Sequence, residues 1–498
     1  MRRNLRDYRG VFKPVGAVVM GLGVCIALCA LVGFGFNLVD PQPFKGPPGG
    51  ELALVLAAVS TIVTGASFFV YGRRFESPTL TRREAILSVA MIWFAAGIFG
   101  AIPFMFGARM SFADAFFESV SGLTTTGATV ITQIESGLSR PLLLWRSLIQ
   151  WLGGMGIVVL FVAVFPNIGA GGKHMFGEEV PGTTAEGLKP RIAETSRTLW
   201  KLYALFTALE VLALWLLDMS VFEALCHALT TMSTGGFSTR DASAAAFESA
   251  AIELTLAAFM LIGSVNYGLY YAFLRNRTLR AFTRSVEFKA YLVIVFLSTC
   301  VLTFGLFEVH DRNLFDAFRY AIFMVATTIS STGYGTDDYM AYPQPLLFVV
   351  IIIMFVGGCA GSTAGGIKIE RIVLMGKAIW GEIRRSFRPN LVHVLRMGRN
   401  VVPREAITDV LVFFVVYMIA LALGIALTTT IEDRPIMTSF GAVLTCLSNM
   451  GPAPFYMGAD NFASYSSVMK IVFAVLMLLG RLEFFALLSL LAAGFWKR

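Results

Sequence analysis

The chain has 498 residues, 56% of them hydrophobic and only 14% charged, with a mean hydropathy of +0.71. Soluble domains run nearer 25% charged, so the composition excludes a soluble globular protein and indicates a polytopic membrane protein. A net charge of +8 would suggest nucleic acid in a soluble chain; here the placement of the basic residues assigns it to membrane topology instead.

The amino terminus, MRRNLR followed by an apolar run, has the outline of a signal peptide. The run from Val15 to Val39 is about 25 residues, however, a spanning length rather than a cleavable one. It reads as a retained first helix. Further spans are predicted near 52–72, 85–107, 141–166, 202–219, 250–274, 288–307, 345–380, 405–430 and 464–495, ten in all. Four shorter helical stretches, near 112–125, 221–233, 314–331 and 437–448, are too short or too polar to cross. The six cysteines (Cys25, Cys29, Cys226, Cys300, Cys359, Cys446) stand in apolar contexts without a CxxC pair, and the four histidines are scattered. Neither set suggests a metal or disulfide site.

Lysine and arginine test the topology. With the N-terminus inside, the segments 1–14, 73–84, 167–201, 275–289, 368–404 and 497–498 are cytoplasmic and hold 30 of the 40 basic residues. The opposite loops hold six: Lys45, Arg109, Arg140, Arg240, Arg312 and Arg434. Four more, Arg146, Arg319, Lys470 and Arg481, lie within hydrophobic segments. The bias supports ten crossings with both termini cytoplasmic. All four short segments then fall on the outer side, each between two spans.

The ends of these short segments read SGLTTTGATV, TTMSTGGFST, TISSTGYGTD and CLSNMGPAPF. Each places a glycine after small polar residues: Gly127, Gly235, Gly333 and Gly451, spaced by 108, 98 and 118. The helices before them begin near Asp114, Glu223, Asp316 and Thr438, residue types suited to a helix N-terminus. One such run would read as a packing surface. Four copies on one side of the membrane read as a repeat. Irregular backbone at membrane depth must line a water-filled cavity or be buried in protein. Four loops around an axis can offer a ring of carbonyls in place of a monovalent cation's hydration shell, and half-helices ending there add negative potential. The candidate cation-binding residues are Thr125, Thr126 and Gly127; Ser233, Thr234 and Gly235; Ser331, Thr332 and Gly333; and Asn449, Met450 and Gly451. The expected fold is an all-α polytopic membrane protein with four pseudo-symmetric membrane–pore-loop–membrane repeats around a single-chain pore, preceded by two transmembrane helices. The units are 1–83, 84–195 (with a cytoplasmic linker), 196–285, 286–400 and 401–498.

In combination, SGLTTTGATV, TTMSTGGFST, SSTGYG and SNMGP resemble the TrkH/TrkG type of bacterial potassium transporters within the Trk/Ktr/HKT superfamily, over essentially the whole chain. The resemblance implies potassium uptake across a bacterial inner membrane, with loop glycines marking a potassium-selective filter and potassium bound at the filter residues only. It associates serine at the first of these glycines with sodium permeation. It also implies a homodimer and a cytosolic TrkA-like nucleotide-binding ring, which would carry any regulatory nucleotide. The fourth loop continues Pro452, Ala453 where the family usually has Pro-Gly.

The run GGCAGSTAGGIK, Gly357 to Lys368, holds five glycines, each costing a helix interior about 1 kcal/mol relative to alanine. It reads either as a small-residue packing face with GxxxG spacing or as a broken helix under the filter. The resemblance implies the second, with this loop as a gate; its residues are Gly357, Gly358, Gly361, Ser362, Thr363, Ala364, Gly365 and Gly366. Arg481, in LLGRLEFF, must face the bundle interior or water. Glu483, two residues on, would not share its helical face. The resemblance places the matching arginine beside the pore, where Arg481 would hold the closed state. Lys470, Glu210, Glu253 and Asp409 read as snorkelling or helix-pairing groups.

The stretch 368–404 carries nine basic residues, Arg384, Arg385 and Arg388 among them. It reads as a topology determinant in contact with anionic lipid or as a docking surface for the cytosolic ring, to which 167–201 (GAGGKHMFGEEVPG) would contribute. Its GAGGK lacks the spacing and preceding strand of a phosphate loop. The leading expectation is potassium uptake without an enzymatic step or covalent cofactor. The alternative is a sodium-permeable or sodium- or proton-coupled potassium transporter. A membrane-embedded enzyme is disfavoured because the acids are dispersed.

Overall fold

The computed structural model describes residues 8–39, 50–75, 81–163, 188–309, 313–388, 394–398, 400–452, 454–455, 461–482 and 484–496. Of the segment 167–201, only its last part lies among them. Ala453 and Glu483 lie outside them.

Two helices, Phe12–Val39 and Gly50–Arg73, form an antiparallel pair. Its seam is built on small residues. A methyl group on Gly16 would stand 2.6 Å from the Gly65 carbonyl oxygen, and one on Gly65 would stand 2.5 Å from the backbone nitrogen of Met20. Backbones this close gain dispersion contact that larger side chains would forbid. The pair leans on the rest of the molecule through Arg140, whose Nη1 donates to the Phe36 carbonyl at 2.9 Å.

The remaining chain repeats one order of elements four times: a long helix, a short helix, a loop, then a further helix that is broken in the last three copies. The first copy runs Arg82–Gly107, Phe112–Leu123, Arg140–Ala163. The second runs Leu188–Leu216, Val221–Met232, then Ala250–Gly263 and Tyr267–Asn276. The third runs Val286–Val309, Leu314–Ile329, then Gln344–Val356 and Ile369–Phe387. The fourth runs Arg404–Glu432, Ile436–Ser448, then Ser467–Arg481 and Phe485–Leu491. A two-residue antiparallel ladder, Arg396 with Val401 and Met397 with Asn400, is the only strand pairing among the described residues.

Six of these helices are single, apolar and long enough to cross a membrane. Their outer faces expose Leu28, Leu31, Leu56, Phe296, Phe304, Val415 and Leu423, the pattern of helices whose backbone is satisfied internally and whose side chains meet lipid. Three predicted spans differ from a continuous helix. The one near 250–274 bends by 82° between Gly263 and Tyr267, where Asn266 caps the second half by accepting from Gly268 N–H at 2.7 Å. The one near 464–495 ends at Arg481 and restarts at Phe485, with Phe484 left-handed at φ 49°. The predicted span near 345–380 is interrupted at its glycine run, and the packing-face reading of that run gives way to the broken-helix one.

Three short helices start with the same device. Ser111, Ser220 and Asn313 each accept from the backbone N–H three residues on and donate back to that residue's carboxylate, Asp114, Glu223 or Asp316. Such caps satisfy orphan N–H groups and place an acid at the positive end of the helix dipole. The fourth helix begins after Pro435 instead. All of the first short helix except Phe112 and Asp114 is buried, which places it inside the ring of spans rather than against lipid.

Candidate functional site

Each short helix ends in the same way. The N–H of Thr126 donates to Ser121 O at 2.9 Å, Gly235 to Thr230 at 2.8 Å, Thr332 to Thr327 at 2.9 Å and Met450 to Thr445 at 3.1 Å. These six-to-one bonds close Schellman-type ends, which require a left-handed residue one position earlier. That residue is not glycine in any copy: Thr125 (φ 54°), Thr234 (56°), Ser331 (57°) and Asn449 (52°). Left-handed threonine is a genuine outlier, and such strain concentrates at functional sites.

The shared ending fixes the register. Thr125, Thr126 and Gly127 correspond to Ser331, Thr332 and Gly333 and to Asn449, Met450 and Gly451, as the sequence pattern implies. In the second copy the counterparts are Thr234, Gly235 and Gly236, one residue later than the expected Ser233–Gly235. Ser233 is the helix cap, and Gly236 (φ 74°) matches Gly127 (79°) and Gly333 (87°). The tandem glycines of STGGF leave the choice open in sequence; the backbone closes it.

The four loops meet in chain order and close on themselves. A methyl group on Gly127 would collide with the Gly235 carbonyl, and one on Gly236 with the Thr332 carbonyl. One on Gly333 would stand 2.6 Å from Pro452 Cδ, and one on Gly451 2.7 Å from the Gly127 carbonyl oxygen. Asn449 strengthens the last junction by donating Nδ2 to Thr126 Oγ1 at 3.0 Å. Most loop hydroxyls are engaged nearby: Thr124 Oγ1 donates to Val120 O, Thr234 Oγ1 to Ser233 O and Ser331 Oγ to Ser330 O. Thr125 Oγ1 is buried without a partner among the described residues. No group of three or more His, Cys, Asp or Glu side chains that could hold a metal ion occurs among the described residues. Metal-ligand chemistry therefore has no side-chain set here. The chemistry available at the ring is that of backbone carbonyls and helix C-termini.

Directly against the ring lies the interrupted segment 357–368. It enters and leaves side by side: Ile367 N–H donates to Phe355 O and Lys368 N–H to Val356 O, both at 3.0 Å. Its tip touches the C-terminal ends of three short helices. Thr363 Oγ1 donates to Met232 O at 3.1 Å, Gly365 N–H to Ser331 Oγ at 2.6 Å and Gly366 N–H to Ser448 O at 3.0 Å. Lys368 Nζ folds back onto the Ala364 carbonyl. Gly357 and Gly358 form the neck, where Gly357 packs on Gly366 and Gly358 on Ala364, and Ser362 Oγ donates to Cys359 O at 2.6 Å. The bend at Gly263–Tyr267 fits the same segment: Cys359 N–H donates to Ser264 O (3.0 Å) and Tyr267 N–H to Gly361 O (3.1 Å). Two backbone breaks at membrane depth thus satisfy each other, as a medium without water demands. Glu287 completes the seat by accepting from Ala360 N–H at 2.6 Å.

The basic residues within hydrophobic segments divide sharply. Arg146 pairs with Glu118 (2.7 Å), Arg319 with Glu253 (3.3 Å) and Lys470 with Asp114 (2.6 Å). Lys470 and Glu253 are therefore ion-pair partners that join neighbouring repeats, rather than snorkelling groups. Replacing Lys470 with methionine is expected to cost about 2 kcal/mol of stability by stranding a charge-assisted hydrogen bond. It would appear as a lower thermal midpoint in detergent; an unchanged midpoint would mean that solvent screens the pair. Arg481 differs. It is 3% exposed, its Nη1 donates to the Thr363 carbonyl at 2.6 Å, and its Nε and Nη2 have no partner among the described residues. The only positive charge of the four without a carboxylate among the described residues rests on the tip of the interrupted segment. Glu210 and Gln150 are also fully buried polar groups. Gln150, which sequence reasoning passed over, holds the second loop by donating to Gly235 O (2.7 Å) and accepting from Phe237 N–H (3.2 Å).

The family profile described as TrkH, cation transport protein, matches residues 57–496. The chain is 38% identical to the Trk system potassium uptake protein TrkH of Salmonella typhimurium, over 98% of this chain and 99% of that one. It is 32% identical to the Trk system potassium uptake protein TrkG of Escherichia coli, over 84% and 86%. The crystal structure of the potassium transporter TrkH from Vibrio parahaemolyticus superposes with a TM-score of 0.88 at 32% identity, covering 99% of this chain and all of that one.

Proposed function

The chain belongs to the TrkH family of cation transport proteins, and on that premise we propose that it takes up potassium through the ring of four loops. The single observation that carries this reading is the closure of the ring, each loop's glycine lying against the next loop's backbone. Buried carbonyls at four helix C-termini suit a dehydrated monovalent cation. The counterpart set is Thr125–Gly127, Thr234–Gly236, Ser331–Gly333 and Asn449–Gly451, with Ser233 as a cap. The membrane potential supplies roughly 2.3 kcal/mol per charge per 100 mV, and no chemical step is needed; the family is one of transporters, not enzymes.

The segment 357–368 is the gate in this reading. Its contacts with three short-helix ends and with Arg481 support that assignment. The units 84–195, 196–285, 286–400 and 401–498 are the four pore repeats, and 1–83 is a peripheral pair. The basic bias of the cytoplasmic segments supports an inner-membrane protein with both termini inside. The exposed Arg384, Arg385 and Arg388 suit anionic lipid or a cytosolic nucleotide-binding ring, and a homodimer belongs to the same proposal.

The test is rubidium and potassium uptake in cells lacking their own systems. Growth at low potassium and saturable rubidium influx are expected. Well-inserted protein that restores neither would overturn the reading. Equal influx of sodium, or influx that stops when a sodium or proton gradient is collapsed at constant voltage, would favour the sodium-permeable or coupled alternative.

A further inference from the structure

Glu118 lies in the middle of the first short helix and Arg146 on the span that follows; their side chains are 0% and 2% exposed. Arg146 Nε donates to Glu118 Oε1 at 2.7 Å, but the pair is not closed on itself. Glu118 also accepts from Thr129 Oγ1, at 3.0 Å to each oxygen, and from Val130 N–H at 3.1 Å. These groups stand two and three residues beyond Gly127. Arg146 Nη1 donates to the Ser238 carbonyl at 2.9 Å, two residues beyond Gly236, and the guanidinium lies 3.6 Å from the centre of the Phe237 ring. One charge pair therefore grips the outgoing chain of two neighbouring loops. Gln150, one turn along the same span, grips the second loop a step nearer its centre.

Stability alone is a weak reason for such a pair, since buried ion pairs are often no better than apolar residues of equal volume. Fixing a register is their best-attested use. Here the register has no slack, because Gly127 already lies against the Gly235 carbonyl. Arg240, two residues past Ser238, pairs with Glu223 and Glu135 but is 35% exposed; the buried pairs that join neighbouring repeats, Arg319–Glu253 and Lys470–Asp114, hold the early turns of short helices and touch no loop exit.

We infer that Glu118 and Arg146 are positioning residues for ion selection: they set the spacing between the first and second loops, and with it the preference for potassium over sodium. The inference rests on the reading of the loops as the selective site. Discrimination between cations depends on the number and field of the coordinating oxygens, so a strut that moves one loop against another changes preference before it changes throughput.

Rubidium and sodium influx into proteoliposomes test it, with Arg146→Lys, Thr129→Val and, for comparison, Arg319→Lys. Arg146→Lys keeps the charge and loses the forked reach to Ser238. Thr129→Val keeps both charges and the side-chain shape and removes the donor to Glu118 together with the acceptor of the Ile131 N–H, so it remains a fair test should Arg146→Lys fail to insert. The rubidium-to-sodium ratio is expected to fall by about tenfold in Arg146→Lys, equivalent to roughly 1.4 kcal/mol, and by less in Thr129→Val. Rubidium influx should change little, and Arg319→Lys should keep the wild-type ratio. An unchanged ratio in Thr129→Val and Arg146→Lys, or an equal fall in Arg319→Lys, would overturn the strut. A wild-type protein without preference for rubidium would instead overturn the reading of the loops themselves.

Discussion

Gly127→Ser is expected to raise sodium influx relative to potassium by about tenfold, the effect of roughly 1.4 kcal/mol of lost discrimination, in protein that still inserts. Two costs coincide at this residue. Its φ is 79°, where a side chain costs about 1–2 kcal/mol, and the new Cβ would collide with the Gly235 carbonyl. The neighbour is poorly placed to yield, because Gln150 already holds that carbonyl at 2.7 Å and the Phe237 N–H at 3.2 Å. The first loop must therefore retreat, which widens the ring on one side. A wider ring fits a bare potassium ion less well and loses the advantage that distinguishes it from sodium. The measurement is the ratio of potassium to sodium permeability in reconstituted bilayers. A wild-type ratio in Gly127→Ser would remove Gly127 from the selective site.

The sequence carries the repeat because four short helices each end in small polar residues and a glycine, and four copies of such a run on one side of the membrane outweigh the packing-surface reading that one copy would have. It also carries the helix starts: Ser111, Ser220 and Asn313 stand three before an acid. What it conveys less well is register. In STGGF either glycine satisfies the pattern, and the bond from Gly235 N–H to Thr230 O together with the positive φ of Gly236 makes Gly236 the counterpart of Gly127. Composition misleads at the bend near 250–274, where the apolar residues on either side of GSVNYG suggest one continuous span. The signal was Asn266, a capping residue inside an apolar run, and its meaning depends on Cys359 and Gly361 arriving from another repeat to satisfy the broken backbone.

Charge pairing is the other part that sequence hides. Arg146, Arg319, Lys470 and Arg481 are alike in sequence, single cations in apolar segments. Lys470 lies 356 residues from Asp114 and Arg319 lies 66 from Glu253, so no local spacing reveals them. Sorting the four by partner separates structural charges from the exception. A buried cation without a carboxylate is costly, so its retention calls for a use beyond packing.

Arg481→Met is expected to raise both transport and stability, and that pairing of signs distinguishes a gate from a brace. Its Nη1 is held by a single carbonyl, Thr363 O, on the tip of the interrupted segment, and Nε and Nη2 are buried without partners among the described residues. Each such group costs about 1–3 kcal/mol of desolvation, so an apolar side chain of similar length relieves the fold. The same change removes a charge that opposes a passing cation. Like charges within several ångströms repel by a few kcal/mol at an effective dielectric constant of about 20, enough for about tenfold or more in rate. It also releases Thr363, whose hydroxyl is otherwise shared between Met232 O and Gly263 O, and so frees the tip to leave the ring. Rubidium influx should rise by about tenfold or more, with a thermal midpoint equal to or above that of the wild type. A purely structural arginine predicts the reverse, a lower midpoint and lower influx. Unchanged influx with a raised midpoint would leave Arg481 as an unused charge and remove it from the gate.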